Sequence, residues 1–167
     1  MIHPLVSQLH FTRSEFVRCF EGVAPDDMAR RVEPLNSLSW AVGHLALQEH
    51  FYWVQLAQGK NIAPGLRERV GFRQPATTPP GDEMWTLWHS ITRTADEYLE
   101  SLQPQDLENR FEWEGKPLAE SIGTLLLRNT YHYWFHLGKA HAIRQMMGHT
   151  DLPVYVGNVS SAVYALK

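Results

Sequence analysis

The sequence predicts an all-α protein, a four-helix bundle with a long crossover loop and an extended C-terminal tail. Three observations carry that expectation. Four segments have helical length and apolar periodicity, strand signals are nearly absent, and one turn motif occurs twice. Residues 20–32 align with residues 99–111, so that Glu21, Pro25, Asp27 and Arg31 coincide with Glu100, Pro104, Asp106 and Arg110. A common helix stop followed by a turn would also give such a match. The fuller reading is two helix pairs, each joined by a similar proline turn, and two pairs make a bundle. With 167 residues, 44% of them hydrophobic, the chain suits one domain over residues 1–167, the bundle filling about 4–147 and the tail 148–167.

The first helix is expected from about Pro4 to Glu21, with Leu5, Leu9, Phe16, Val17 and Phe20 at helical spacing and Pro4 in the first turn. The second runs from about Ser37 to Gln58, opened by a capping Asn36 or Ser37 and closed by Gly59. It is apolar on two sides: Leu38, Val42, Leu45, Tyr52 and Leu56 form one stripe, and Trp40, His44, Leu47, Phe51 and Val54 another. The second stripe needs a cover, and a helix–helix dimer contact is the simplest one. Residues 59–81 form a long linker that can span about 70 Å when extended. The second and third helices can therefore run parallel, joined by a crossover. The third helix starts after Pro80, with Asp82 and Glu83 where the helix dipole favours acids, and ends before Pro104. Phe111–Lys116 suits a small hairpin. The fourth helix extends from about Leu118 to Met147, followed by Gly148. Beyond it, Leu152–Val156 can run extended. The tail, with Val154, Tyr155, Val156, Val163, Tyr164 and Leu166, is too apolar to be left in water, and a partner subunit is slightly favoured over its own bundle as its cover.

Composition excludes several functions. Fifteen Lys and Arg against 18 acids, a net charge of −3, make no nucleic-acid footprint. No apolar run is long enough to span a membrane, and the first ten residues do not resemble a signal peptide, so a cytoplasmic protein is expected. One cysteine, Cys19, permits neither an intrachain disulfide nor a cysteine zinc knuckle, and it reads as a small core residue. Nine histidines stand out. His132 and His136 are one helical turn apart, on an inward stripe that otherwise reads Leu118, Ile122, Leu125, Asn129, Ala140, Ile143 and Met147. Buried imidazoles need partners, because an unsatisfied buried polar group costs about 1–3 kcal/mol. A shared metal ion would satisfy both, and so would hydrogen bonds to neighbours such as Asn129. His44 lies inside an apolar stripe of the second helix and offers a third nitrogen, which would leave an ion with an open position, as catalytic sites do.

Trp40, Gln48, Asn129 and Lys139 are the candidate pocket residues around these three, and Trp134 neighbours them. Glu49 suits a supporting acid or, more simply, a solvated or ion-paired side chain. His3, His10, His50, His89, His141 and His149 read as surface or singly bonded, with His89 the best candidate for an extra ligand. There is no Glu-x-x-His pair for a di-iron carboxylate site, no HExxH zincin motif, and no nucleophile elbow.

Trp40-x-x-x-His44-Leu45 in the second helix and His132-x-x-x-His136-x-Gly138 in the last resemble the motifs of the DinB/YfiT-like metalloenzyme family. The resemblance covers most of residues 1–150. It implies an up-down-down-up bundle, a divalent metal on His44, His132 and His136, and frequently a homodimer. It also implies thiol-dependent S-transferase chemistry, in which the metal activates a low-molecular-weight thiol towards a small-molecule substrate. Metal-dependent hydrolysis by an activated water is the alternative enzyme reading, and a non-catalytic ligand-binding or stress-response bundle is the alternative of another kind. Zinc and nickel head the candidate ions, with iron, manganese and copper also compatible with imidazole ligands. Where the family often has Gln or Glu after the glycine, this chain has Lys139, a cation that would weaken metal binding if it points inward or bind an anionic substrate.

Overall fold

A computed structural model describes residues 2–163. The expected all-α character holds: the only strands among those residues are two of two residues each. Helix α1, Pro4–Arg18, is capped by His3, whose Nδ1 accepts the Leu5 N–H at 3.2 Å. It stops short of the expected Glu21, and Gly22 turns the chain at φ +73°. Pro25 then opens the short α2, Pro25–Ala29, just as Pro104 opens a 3-10 turn over Pro104–Glu108, so both copies of the repeat start a helical turn at proline.

Helix α3, Leu38–Glu49, is capped by Ser37, whose Oγ accepts the Trp40 N–H, and it passes directly into a π-helical segment, His50–Leu56. The wider π-turn shifts the phase of the helix. Tyr52 and Leu56, expected to face inward, are only half-buried, while Trp53 and Val54 are completely buried. In place of a featureless crossover, the linker contains α4, Leu66–Val70. Helix α5 spans Gly81–Leu99 with Asp82 and Glu83 in its first turn. A hairpin pairs β1, Glu112–Trp113, with β2, Lys116–Pro117, through Glu114 and Gly115, both at positive φ as a tight two-residue turn requires. Helix α6, Ile122–Met146, begins four residues later than expected because Ser121 is its cap and Pro117 belongs to the hairpin.

Helices α1, α3, α5 and α6 share one core, which includes Leu9, Phe16, Leu45, Ile91 and Leu125. Contacts between α3 and α5 advance together, from Gly43 beside Met84 to Trp53 beside Tyr98. Between α3 and α6 they advance in opposite senses: His44 meets His136, and Trp53 meets Asn129. Gly43 permits the close approach, since a Cβ there would lie 2.5 Å from the Met84 sulfur and 3.1 Å from Val70. Val70 and Leu66 are buried, so the chain's own α4 packs on α3, where a second subunit had been expected to provide cover.

A polar cluster crosses this core. Arg13 binds Glu49 through two hydrogen bonds and Asp96 at 2.6 Å; the Tyr133 hydroxyl donates to Glu49 at 2.6 Å, and the Trp88 indole N–H donates to Tyr133 at 2.7 Å. Glu49 is thus ion-paired, as one expectation had it, but fully buried rather than solvated. Burial works against the Arg13 charge, yet the carboxylates around it raise its pKa further.

The tail, for which a partner subunit was slightly favoured as cover, makes its described contacts within the chain and leaves Val154, Val156 and Val163 exposed. Its described residues lie on their own chain: Arg18 donates to the Val154 carbonyl at 2.8 Å and stands 4.8 Å above the Tyr155 ring, Gly157 N–H donates to Glu15, and Gln8 donates to the Ala162 carbonyl. The segment 152–156 is irregular rather than a strand. Tyr164 and Leu166 lie outside the described residues. No helix among the described residues is long and apolar enough to cross a membrane.

Candidate metal centre

His44 on α3 and His132 and His136 on α6 converge. One ring nitrogen from each lies within 4.8 Å of the other two, and the ring centroids are 4.6–5.0 Å apart. His136 is buried, and His44 and His132 are half-buried. Burial lowers the pKa of all three. For His132 the charge of His44 adds to this, bringing it to about 4; for His136 the charges of His132, His44 and Lys139 bring it to about 2. All three rings are therefore neutral at pH 7 and keep a lone pair, the state that metal ligation requires.

The neighbours determine where those lone pairs lie. His44 Nδ1 is 2.8 Å from the Val70 carbonyl, which can only accept, so Nδ1 carries the proton and Nε2 is free. For His132 the tautomer is set through a longer chain. The Trp53 indole can only donate, and it donates to Asn129 Oδ1 at 2.7 Å. The Asn129 amide must then present Nδ2 to Gln48, whose Oε1 accepts at 3.1 Å. The same Oε1 accepts from His132 Nδ1 at 2.6 Å, leaving His132 Nε2 bare. That atom faces His136 Nε2 at 3.0 Å. Oxygen acceptors that bind the outer nitrogens of ligand histidines are the usual support of metal sites. The donor set fits a divalent ion of the zinc, nickel or copper kind.

Of the expected pocket residues, Gln48 and Asn129 form this supporting chain. Trp40 stacks on His44 with centroids 4.4 Å apart, and its buried indole N–H has no partner among the described residues. Lys139 is half-buried, with Nζ 5.1 Å from the Phe135 ring, close enough for its charge to act on His44 and His136. Trp134 borders a separate cavity of about 740 Å³ beneath the tail. His89, read as a surface histidine and the best candidate for an extra ligand, is exposed between Trp85 and Trp88 and lies outside the group. His10, His141 and His149 are bound elsewhere, to Asp96, against Tyr155 and to Asp27. His50, read as surface or singly bonded, is the latter: it is buried, its Nε2 accepts the Ile62 N–H, and it borders a cavity of about 650 Å³ beside His44, Gln48 and His132. Its place outside both apolar stripes gave no sign of its burial or of the cavity. The Val70 carbonyl, a backbone group, left no signal in the sequence.

A helical protein with three convergent, neutral imidazoles able to hold a metal ion is the class that fold and site define. Sequence comparison takes the assignment one step further: the DinB superfamily matches residues 8–140, well over half of the chain and inclusive of all three histidines, and the protein belongs to that superfamily. Comparison with curated proteins finds no match.

Proposed function

We propose that the protein is a metal-dependent enzyme in which His44, His132 and His136 hold one divalent ion, and that its chemistry is S-transfer, in which a low-molecular-weight thiol loses its S–H proton and its intact thiolate forms a new S–C bond to an electrophilic carbon of a small molecule. The observation that carries the proposal is the pair of outer hydrogen bonds, from His44 to Val70 and from His132 to Gln48, that leaves the other nitrogen of each ring bare within a group of three imidazoles. A dication held by neutral nitrogens supplies positive charge that favours the thiolate form of an added thiol. The chain's own residues bind and orient. Cys19 cannot serve as the sulfur donor, because it is fully buried and burial raises its pKa, so the thiol comes from outside. The same reading takes α1, α3, α5 and α6 as an up-down-down-up four-helix bundle, supported by the parallel order of α3–α5 contacts and the opposed order of α3–α6 contacts.

Metal analysis of protein purified without chelator and then supplied with zinc or nickel tests the site. About one ion per chain is expected, with loss of the ion in His132→Ala and His136→Ala. A cobalt-substituted form should change its visible spectrum when a small thiol is added. A wild-type chain that stays well below stoichiometric metal would reject the proposal, and an unchanged cobalt spectrum would reject the thiol.

A further inference from the structure

We propose that the cavity beside the three histidines is built for an organic carboxylate with a flat apolar body, the carboxylate held by Arg67 and Arg73 and the body laid against Phe51 and Trp113. The proposal rests on reading this cavity as the substrate side of the histidine group, and it names the class of substrate.

The cavity, at about 650 Å³, suits a small molecule, and His44 and His132 form part of its wall. Three arginines lie on or next to α4. Arg69 is neutralised by Glu83 through two hydrogen bonds. Arg67 and Arg73, the two that border the cavity, have no carboxylate partner among the described residues. Among the described residues Glu68 is the one acid on the wall, and the other ionisable side chains there, apart from Tyr52, are histidines, so the two guanidinium groups leave that lining net positive. A guanidinium matches a carboxylate with two parallel N–H donors, a geometry that a lone lysine lacks.

The cations are presented on a fixed turn. Leu66 and Val70 are buried, His44 Nδ1 donates to the Val70 carbonyl, and the Thr77 hydroxyl donates to the Arg69 carbonyl at 2.6 Å. Gly71 leaves the backbone between the two arginines bare; a Cβ there would lie 2.4 Å from the Arg67 carbonyl oxygen. Also on the wall of the cavity, Phe51 and Trp113 meet edge to face with centroids 5.2 Å apart, and Trp113 is 40% exposed although the hairpin holds it in place. A planar apolar group on that wall, with an anionic end turned to the arginines, satisfies both halves of the lining.

Benzoate and its neutral isostere benzamide separate charge from shape. Calorimetric titration of the full chain, with its metal content measured on the same sample, should show benzoate binding at least about tenfold more tightly than benzamide. The exposed pair Arg67→Ala/Arg73→Ala, checked for unchanged helicity by circular dichroism and unchanged metal content, should lose that preference. Equal binding of the two probes, no benzoate binding, or benzoate binding indifferent to the arginine pair would overturn the proposal. A chain that holds metal but ignores the arginines rejects this inference alone; one that binds benzoate through them without holding metal rejects the metal reading alone.

Discussion

Single side chains decide whether the three histidines can act as ligands. Proximity does not settle the matter, because an imidazole with its proton on the wrong nitrogen offers no lone pair. His132 is set correctly by a relay that begins at Trp53, a group that can only donate, and passes through Asn129 and Gln48. Replacing Gln48 by Leu removes the acceptor without emptying the core, since Gln48 is only half-buried. Zinc affinity, measured by chelator competition, should fall about 10- to 100-fold. Gln48→Glu keeps an acceptor oxygen and should restore binding. If Gln48→Leu binds zinc as the wild type does, the relay has no role in the site. The three histidines were legible in the sequence as candidates because imidazoles on apolar stripes need partners. The relay was legible only as names: Gln48 and Asn129 were expected near the site, but amide orientation is a three-dimensional property.

Helices were predicted where periodicity is long and caps are clear, and there the expectation was accurate: α5 and α6 differ from it only at their ends. Departures arose where a local device overrides periodicity. The π-turn after Glu49 rotates Trp53 to the core, and no sequence period announces an i→i+5 winding. The two-sided apolar face of α3 was read correctly as needing cover, but periodicity cannot tell whether the cover is another chain or a piece of the same one. Here α4 packs on it, and Gly43 is where the two meet α5. Two glycine substitutions test this packing. Gly43→Ala gains helix propensity but places a methyl against Met84 and Val70. A net loss of about 1–2 kcal/mol in urea unfolding is expected. Gly138→Ala, on α6 with no atom within 4 Å of the new methyl, should instead gain about 1 kcal/mol. Similar effects at both sites would show that the close approach of α3 to Met84 and Val70 carries no stability.

In the molecule as a whole, the Arg13–Glu49–Tyr133–Trp88 cluster joins α1, α3, α6 and α5 through one buried charge pair. Such a pair contributes little over a well-packed apolar substitute, yet losing half of it is costly, because the other charge stays buried alone. Arg13→Met should therefore destabilise the chain by about 3–5 kcal/mol, read from the urea midpoint, because it leaves the fully buried Glu49 without its cation, while Arg13→Met/Glu49→Leu should cost much less. Equal losses in the two variants would show that the penalty lies in packing and not in the orphaned charge. This cluster was invisible in the sequence: Arg13, Glu49 and Asp96 are distant along the chain, and each alone resembles an ordinary surface residue.

The bond from His44 to the Val70 carbonyl has a wider consequence. It ties an inner ring of the histidine group to the turn that carries Arg67, so the two sites share a mechanical element. If a molecule settling on that turn moves the carbonyl, the basicity of the His44 lone pair changes with it. Affinity for an ion at the histidines and affinity for a guest in the cavity then become a single coupled equilibrium. Whatever factor the guest imposes on the ion, the ion must impose on the guest.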